Sequence, residues 1–177
     1  MNQKYTVDDV EEFLEITQNE ESRVDTEIMQ KLLSVQNKIK IFKNIDPNEL
    51  KVVVYDLKFL RYNYKDHILE QGSQSSDIYY LIDGECQVFK DKYQIGEIEP
   101  GSSFGESGAI FGKKRNATVI CSSKTASLLS FKIDQENFDF SSAALAILYK
   151  NLAAEINAKL DKLNNKVASK MHDISTL

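Results

Sequence analysis

Between residues 58 and 133 the sequence is divided into short runs rich in β-branched and aromatic residues. DIYYLID, ECQVFKD, NATVICSS and ASLLSFK each read as a strand, and turns containing Gly and Ser separate them. The pair Asp83-Gly84 stands between two of these runs. Glycine tolerates the positive φ of a tight primed turn, so the pair predicts a hairpin. Many short strands at regular spacing leave open edges unless the sheet closes or doubles. The segment therefore predicts a closed or double-sheet β structure.

Both flanks change to a helical period. Val7, Val10, Phe13 and Leu14, and after the polar break QNEES the series Val24, Ile28, Leu32, Val35 and Ile39, each define one apolar helix face. Asp46-Pro47-Asn48-Glu49 predicts a third helix, with Asp46 as cap, Pro47 in the first turn and Glu49 completing a capping box; Leu50, Val53, Val54 and Leu57 form its apolar side. Beyond the strands, DQENFDF predicts one or two helical turns, and Ser141 or Ser142 then caps a long helix. Leu145, Leu148, Leu152, Ile156, Leu160, Leu163, Val167 and Met171 make its stripe. At roughly 30 residues such a helix spans about 45 Å, longer than the flank of a small domain. Its first turns, Leu145 to Leu152, are expected to pack on the strands. For the outer half, Ile156 to Met171, the alternatives are continued packing on the same chain or a seam with a second copy, and we read the second. Lys159, Lys162, Lys166 and Lys170 border that half, placed to meet the N-terminal segment, which has eight acids against two bases over residues 1–25. The class is α+β. The expected units are a helical extension over 1–41, a β unit with its entry helix over 42–140, and the long helix over 141–177.

Charge and composition exclude several functions. A net charge of −5 on 177 residues, with no basic stripe, argues against direct DNA binding. Cys86 and Cys121 are too few for a disulfide framework and read as small buried hydrophobes in a reducing cytoplasm. The N-terminus has no apolar signal core, and the run AALAILY is far short of the ~20 residues of a membrane span. His67 and His172 have no partner at metal-ligand spacing. No catalytic residue, metal site or resident cofactor is expected, and the chain reads as a cytoplasmic non-enzyme.

One segment carries chemistry: GSSFGESGAIFGKKRNATVICSS, residues 101–123. Its small residues at Gly105, Ser107 and Gly108 follow the turn at Pro100-Gly101 and lead into Ala109-Ile110-Phe111, the pattern of a loop entering a short helix. Backbone N–H groups at such an entry are unpaired and open to an anion. Arg115 stands just ahead of the next strand, and its planar fork suits phosphate oxygens. Glu106 repels a bare phosphate but accepts a hydrogen bond from a ribose hydroxyl, with Arg115 offsetting its charge. Two readings remain open at this point. The pair holds a ligand with one phosphate and one sugar hydroxyl, or the two side chains simply pair with each other across the loop.

The run FGESGAIFGKKRNATV closely resembles the phosphate-binding cassette of cyclic nucleotide-binding domains, the family of the catabolite activator protein, protein kinase A regulatory subunits and cyclic-nucleotide-gated channels. The resemblance extends through Gly72, DIYYLIDGECQVF and Pro100-Gly101 into the long helix, about residues 42–165. It implies an antiparallel β-roll of the double-stranded β-helix or jelly-roll kind. It also implies roles: Gly105 permits the turn, Glu106 holds the ribose 2′-OH, the amides of Ser107, Gly108 and Ala109 and of Asn116 and Ala117 meet the phosphate, and Arg115 supplies its counter-charge. Gly108 stands where many members have Ala, and Asn116 replaces a usual small residue. The implied ligand is cyclic AMP, with cyclic GMP as the alternative.

In bacterial activators of this family a helix-turn-helix follows the long helix, whereas here the stripe ends within the final run SKMHDISTL. The expectation is thus a regulatory sensor that signals to a protein partner through its C-terminal helix, as a homodimer, without binding DNA or membrane. Two other readings are an interaction module with a vestigial pocket and a transcription regulator that acts through DNA-bound partners.

Overall fold

The computed structural model describes Gln36 and residues 39–50, 58–132 and 141–175. The predicted helices over 1–35, the apolar positions Val53, Val54 and Leu57, and the segment DQENFDF lie outside the described residues. After a 3-10 turn at Lys40–Phe42 come β1 (Lys58–Asn63), β2 (His67–Leu69), β3 (Asp77–Asp83), β4 (Cys86–Lys90), β5 (Tyr93–Ile98) and β6 (Ser103–Phe104). Helix α1 (Glu106–Phe111), β7 (Thr118–Cys121), β8 (Thr125–Lys132) and helix α2 (Ser142–Ser175) follow among the described residues.

The strands form two four-stranded sheets, ordered β1-β8-β3-β6 and β2-β7-β4-β5. All pairings are antiparallel. This is the expected α+β arrangement of a double-sheet β-roll with a C-terminal helix. The run DIYYLID is apolar nearly throughout because β3 is covered on both faces. Tyr79 and Leu81 point into the space between the sheets with Cys86, Val119, Cys121 and Leu128. Ile78 and Tyr80 point the other way, into a second core with Phe131, Leu148 and Leu152. A strand's period of two thus divides one apolar run between two cores.

Asp83-Gly84 does not close a hairpin. β3 pairs with β8 and β6, whereas β4 pairs with β5 and β7, so the turn carries the chain from one sheet to the other. Gly84 is at φ 90, and a Cβ there would strike the backbone of Thr125 and Ala126. The two-residue hairpin lies at Asp91-Lys92, between Lys90 and Tyr93, with φ 48 and 71. Neither residue is Gly, so the usual composition signal is missing. Instead Gln71 supports the turn, its Nε2 donating to Asp91 Oδ1 (2.8 Å) and its Oε1 accepting from the Asp91 N–H (3.0 Å).

Residues 47–50 are helical, and Asp46 Oδ1 accepts the Asn48 N–H at 2.8 Å, as a cap does. Glu49 does not close the expected capping box: its Oε2 accepts the Ser141 N–H at 2.9 Å, reaching the entry of α2. Ser141 caps α2 by accepting the Ala144 N–H at 3.2 Å. From there Ala144, Leu148 and Leu152 are buried against the first sheet and the 3-10 turn. Asn151 adds hydrogen bonds to the carbonyls of Ile41 (3.0 Å) and Lys43 (2.7 Å). Along the outer half Ile156, Leu160, Leu163, Val167 and Met171 are 41–67% exposed.

Candidate ligand-binding site

β6 ends at Phe104, and Gly105, at φ 86, turns the chain into α1. Arg115 then fits beneath that turn. Its backbone donates to Ser73 O and accepts from the Gly72 N–H, both at 2.8 Å, which fixes the stem of the side chain. Its Nη1 donates to Gly105 O at 2.5 Å, and its Nη2 to Asp77 O at 2.6 Å and Ser75 Oγ at 2.9 Å. The residue is 4% exposed, and its Nε has no partner among the described residues. Burial lowers the guanidinium pKa, while Tyr79, Asp77 and Glu106 oppose the shift. The small residues have a steric reason. A Cβ at Gly105 would lie 2.8 Å from Arg115 Nη1, and one at Gly108 2.9 Å from the same atom.

Glu106 and Arg115 do not form an ion pair. Glu106, 7% exposed, accepts from Ser103 Oγ at 2.7 Å and from Lys159 Nζ at 2.5 Å, both on Oε1. Lys159 also donates to Ser103 O. One helical turn earlier, Glu155 Oε2 accepts the Ser103 N–H at 3.1 Å and contacts Ser103 Oγ, while Glu155 Oε1 is buried without a partner among the described residues. Lys162 pairs with Glu99 at 2.8 Å. These lysines therefore turn back onto their own β-roll. Glu99, held by that lysine, has its carboxyl pKa lowered.

These groups border a cavity of about 460 Å³ between the second sheet, the 105–117 segment and the outer half of α2. Leu69, Val88, Ile98 and Val119 give it an apolar wall, and Leu163 and Lys166 face it from α2. Of the eight residues singled out in the sequence, Gly105, Glu106, Ser107, Gly108, Arg115, Asn116 and Ala117 line it. Ala109 does not. Its side chain packs against the core shared with α2, and its amide donates to Gly105 O at 3.3 Å, so that N–H is already used. Asn116 Nδ2 lies 3.4 Å from Ser107 Oγ, spanning the two arms of the loop. Among the described residues no group of His, Cys, Asp and Glu is arranged to hold a metal ion.

The profile "Cyclic nucleotide-binding domain" matches residues 59–139. That segment belongs to the cyclic nucleotide-binding domain family. A curated relative of the domain, "cGMP-dependent protein kinase" of Plasmodium berghei (strain Anka), is 24% identical over 134 residues, covering 76% of this chain and 15% of the kinase. The chain thus spans a small part of that relative. Among solved structures, "Sp-2Cl-cAMPS bound to PKAR CBD2" matches with a TM-score of 0.59 at 23% identity, over 79% of this chain and 91% of the other. "Regulatory subunit of a cAMP-independent protein kinase A from Trypanosoma cruzi bound to guanosine" matches with a TM-score of 0.53 at 16% identity, over 63% and 40%.

Sequence reasoning singled out seven of the residues that line this cavity but not the side chains that hold them. Ser75, Asp77, Ser103, Glu155 and Lys159 were not singled out as site residues, although all five contact Arg115 or the Ser103–Glu106 loop. For Ser75 a weak signal existed: a serine hydroxyl in a loop can accept the backbone N–H two residues on, as Ser75 Oγ does from the Asp77 N–H at 3.3 Å. For Lys159 there was none, since its partners lie 53 and 56 positions away.

Proposed function

We propose that this domain binds a cyclic mononucleotide, cyclic AMP or cyclic GMP, at Gly105, Glu106, Ser107, Gly108, Arg115, Asn116 and Ala117, and acts as a regulatory sensor rather than an enzyme. The observation that carries this reading is Arg115: a cation 4% exposed on the cavity lining, anchored through Nη1 and Nη2, with a buried Nε left without a partner. A buried donor without an acceptor is costly, and a phosphate oxygen is the acceptor that such a group suits. The apolar wall takes the base, and Glu106, held by Lys159 and Ser103 through Oε1, takes a ribose hydroxyl on Oε2. Calorimetry with cyclic AMP and cyclic GMP tests the reading. Arg115→Ala is expected to cost about 1.5–3 kcal/mol, ten- to a hundred-fold in affinity. Equal affinity in wild type and variant would remove the phosphate from the argument.

A second reading is favoured by a specific feature. Three acceptors already hold Arg115, and a trypanosome relative is described as bound to guanosine, a nucleoside without phosphate. Guanosine and adenosine therefore belong in the same titrations. Tighter binding of either nucleoside than of its cyclic phosphate would favour this reading.

Signalling through α2 to a protein partner, and a homodimer along the exposed half of that helix, complete the proposal. The division at 41 and 140, a cytoplasmic setting and the lack of direct DNA binding are parts of it. Among the described residues no helix is long and apolar enough to cross a membrane.

A further inference from the structure

The cation in direct contact with Glu106 comes from the helix and not from the cassette. Arg115 is committed to two carbonyls and a serine hydroxyl, whereas Lys159 of α2 reaches Glu106 Oε1 at 2.5 Å. We infer that Lys159 is part of the ligand site: it neutralises the ribose-binding carboxylate so that an anionic ligand can lie beside it, and thereby makes occupancy of the cavity depend on the position of α2. This rests on the cyclic mononucleotide reading.

A bare carboxylate buried to 7% exposure on the cavity lining opposes any phosphate bound nearby, because little solvent screens the two charges. A cation at 2.5 Å removes that opposition. Ser103 and Lys159 both bond Oε1, so neither consumes Oε2. Lys159 also lines the cavity, with its ammonium directed to Glu106 Oε1 and Ser103 O. Glu155, one turn away, ties the same helix to the Ser103 N–H. Helix and carboxylate are thus one unit. A ligand that needs the neutralised Glu106 binds the arrangement with α2 in place more tightly than any other, which is the condition for it to shift the helix.

The opposite assignment, Lys159 as a plug that a ligand must displace, predicts the opposite sign on mutation. Lys159→Met and Lys159→Arg, each alone and in a Glu106→Gln background, are titrated with cyclic AMP and cyclic GMP. Lys159→Met is expected to weaken binding about tenfold, with Lys159→Arg within about threefold of wild type. In the Glu106→Gln background, where there is no charge to neutralise, Lys159→Met should change affinity by less than about threefold. Saturating ligand should slow amide hydrogen exchange over residues 155–163 in wild type and much less in Lys159→Met. Unchanged or tighter binding by Lys159→Met, or an equal loss in both backgrounds, overturns the inference. If wild type binds neither cyclic nucleotide, the reading beneath it fails as well, a result recognisable before any variant is compared.

Discussion

Gly105 is the residue on which the loop geometry turns. Its φ of 86 disfavours any side chain, and an added Cβ would lie 2.8 Å from Arg115 Nη1 and 3.0 Å from Asp77 O. Gly105→Ala is therefore expected to lose about 1–3 kcal/mol in a urea melt. Gly112 also has positive φ, 59, but nothing lies within 4 Å of its Cβ position, so Gly112→Ala should lose about 1 kcal/mol at most. Equal losses would mean that the close approach of Arg115 does not matter. Three buried acids make a second prediction. Burial is the largest cause of each shift: Cys86 rises from 9.0 to about 12, and Tyr79 and Tyr80 from 10.0 to about 12. Each holds its proton in the fold at pH values where the unfolded chain has released it, so unfolding there liberates protons. The stability they contribute is fully present below pH 9.0 and is lost as pH rises towards about 12. Urea midpoints measured from about pH 8 to about pH 11 should fall, with the decline reduced in Cys86→Ala; a flat profile contradicts the assignment.

At the scale of elements, α2 is two helices in one. Its inner half is held by apolar contact: Leu148 and Leu152 are fully buried, and either one replaced by Ala should cost about 2–5 kcal/mol of global stability. Its outer half touches the β-roll through polar groups, Glu155 and Lys159 at Ser103 and Glu106 and Lys162 at Glu99. Lys162→Ala, removing a surface pair, should move the melting midpoint little. The contrast explains what was readable beforehand. The 3.6-residue period identified the apolar stripe from Leu145 to Met171, of which Leu148 and Leu152 are fully buried and the outer five residues exposed. It could not say that Lys159 turns towards the 103–106 loop, since a long side chain on a flank reaches either way and its partner is set by the tertiary fold. Turns show the same limit. Asp83-Gly84 announced positive φ correctly and pairing wrongly, because the edges of β3 are occupied by β8 and β6. Asp91-Lys92 carried no glycine to announce its hairpin.

For the whole molecule, strand-rich composition between helical flanks was enough to predict a closed or double-sheet β structure and a long final helix, and the resemblance selected the double-sheet roll that the strand order shows. The allocation of β3 and β8 to two cores at once was not readable, because a continuous apolar run states that both faces are covered without naming the covers. Likewise the cavity-lining residues between Gly105 and Ala117 were legible, whereas Lys159 and the other lining residues on α2 were not. The remaining question of scale is what covers Ile156, Leu160, Leu163, Val167 and Met171, which are 41–67% exposed at steps of three or four residues. A single exposed leucine needs no cover, but five in one stripe form an apolar patch of the kind that marks an interface. A second copy of the same helix offers a matching stripe, and a seam spaced this way accommodates it. Leu163 also lines the cavity, so a partner there would sit beside the ligand. Leu160→Asp with Met171→Asp places charge in the seam at positions that do not line the cavity. That double variant is expected to be a folded monomer by light scattering at about micromolar concentration, against a dimeric wild type, since introducing charge into an apolar interface costs several kcal/mol. A monomeric wild type, or a double variant that stays dimeric, excludes this seam.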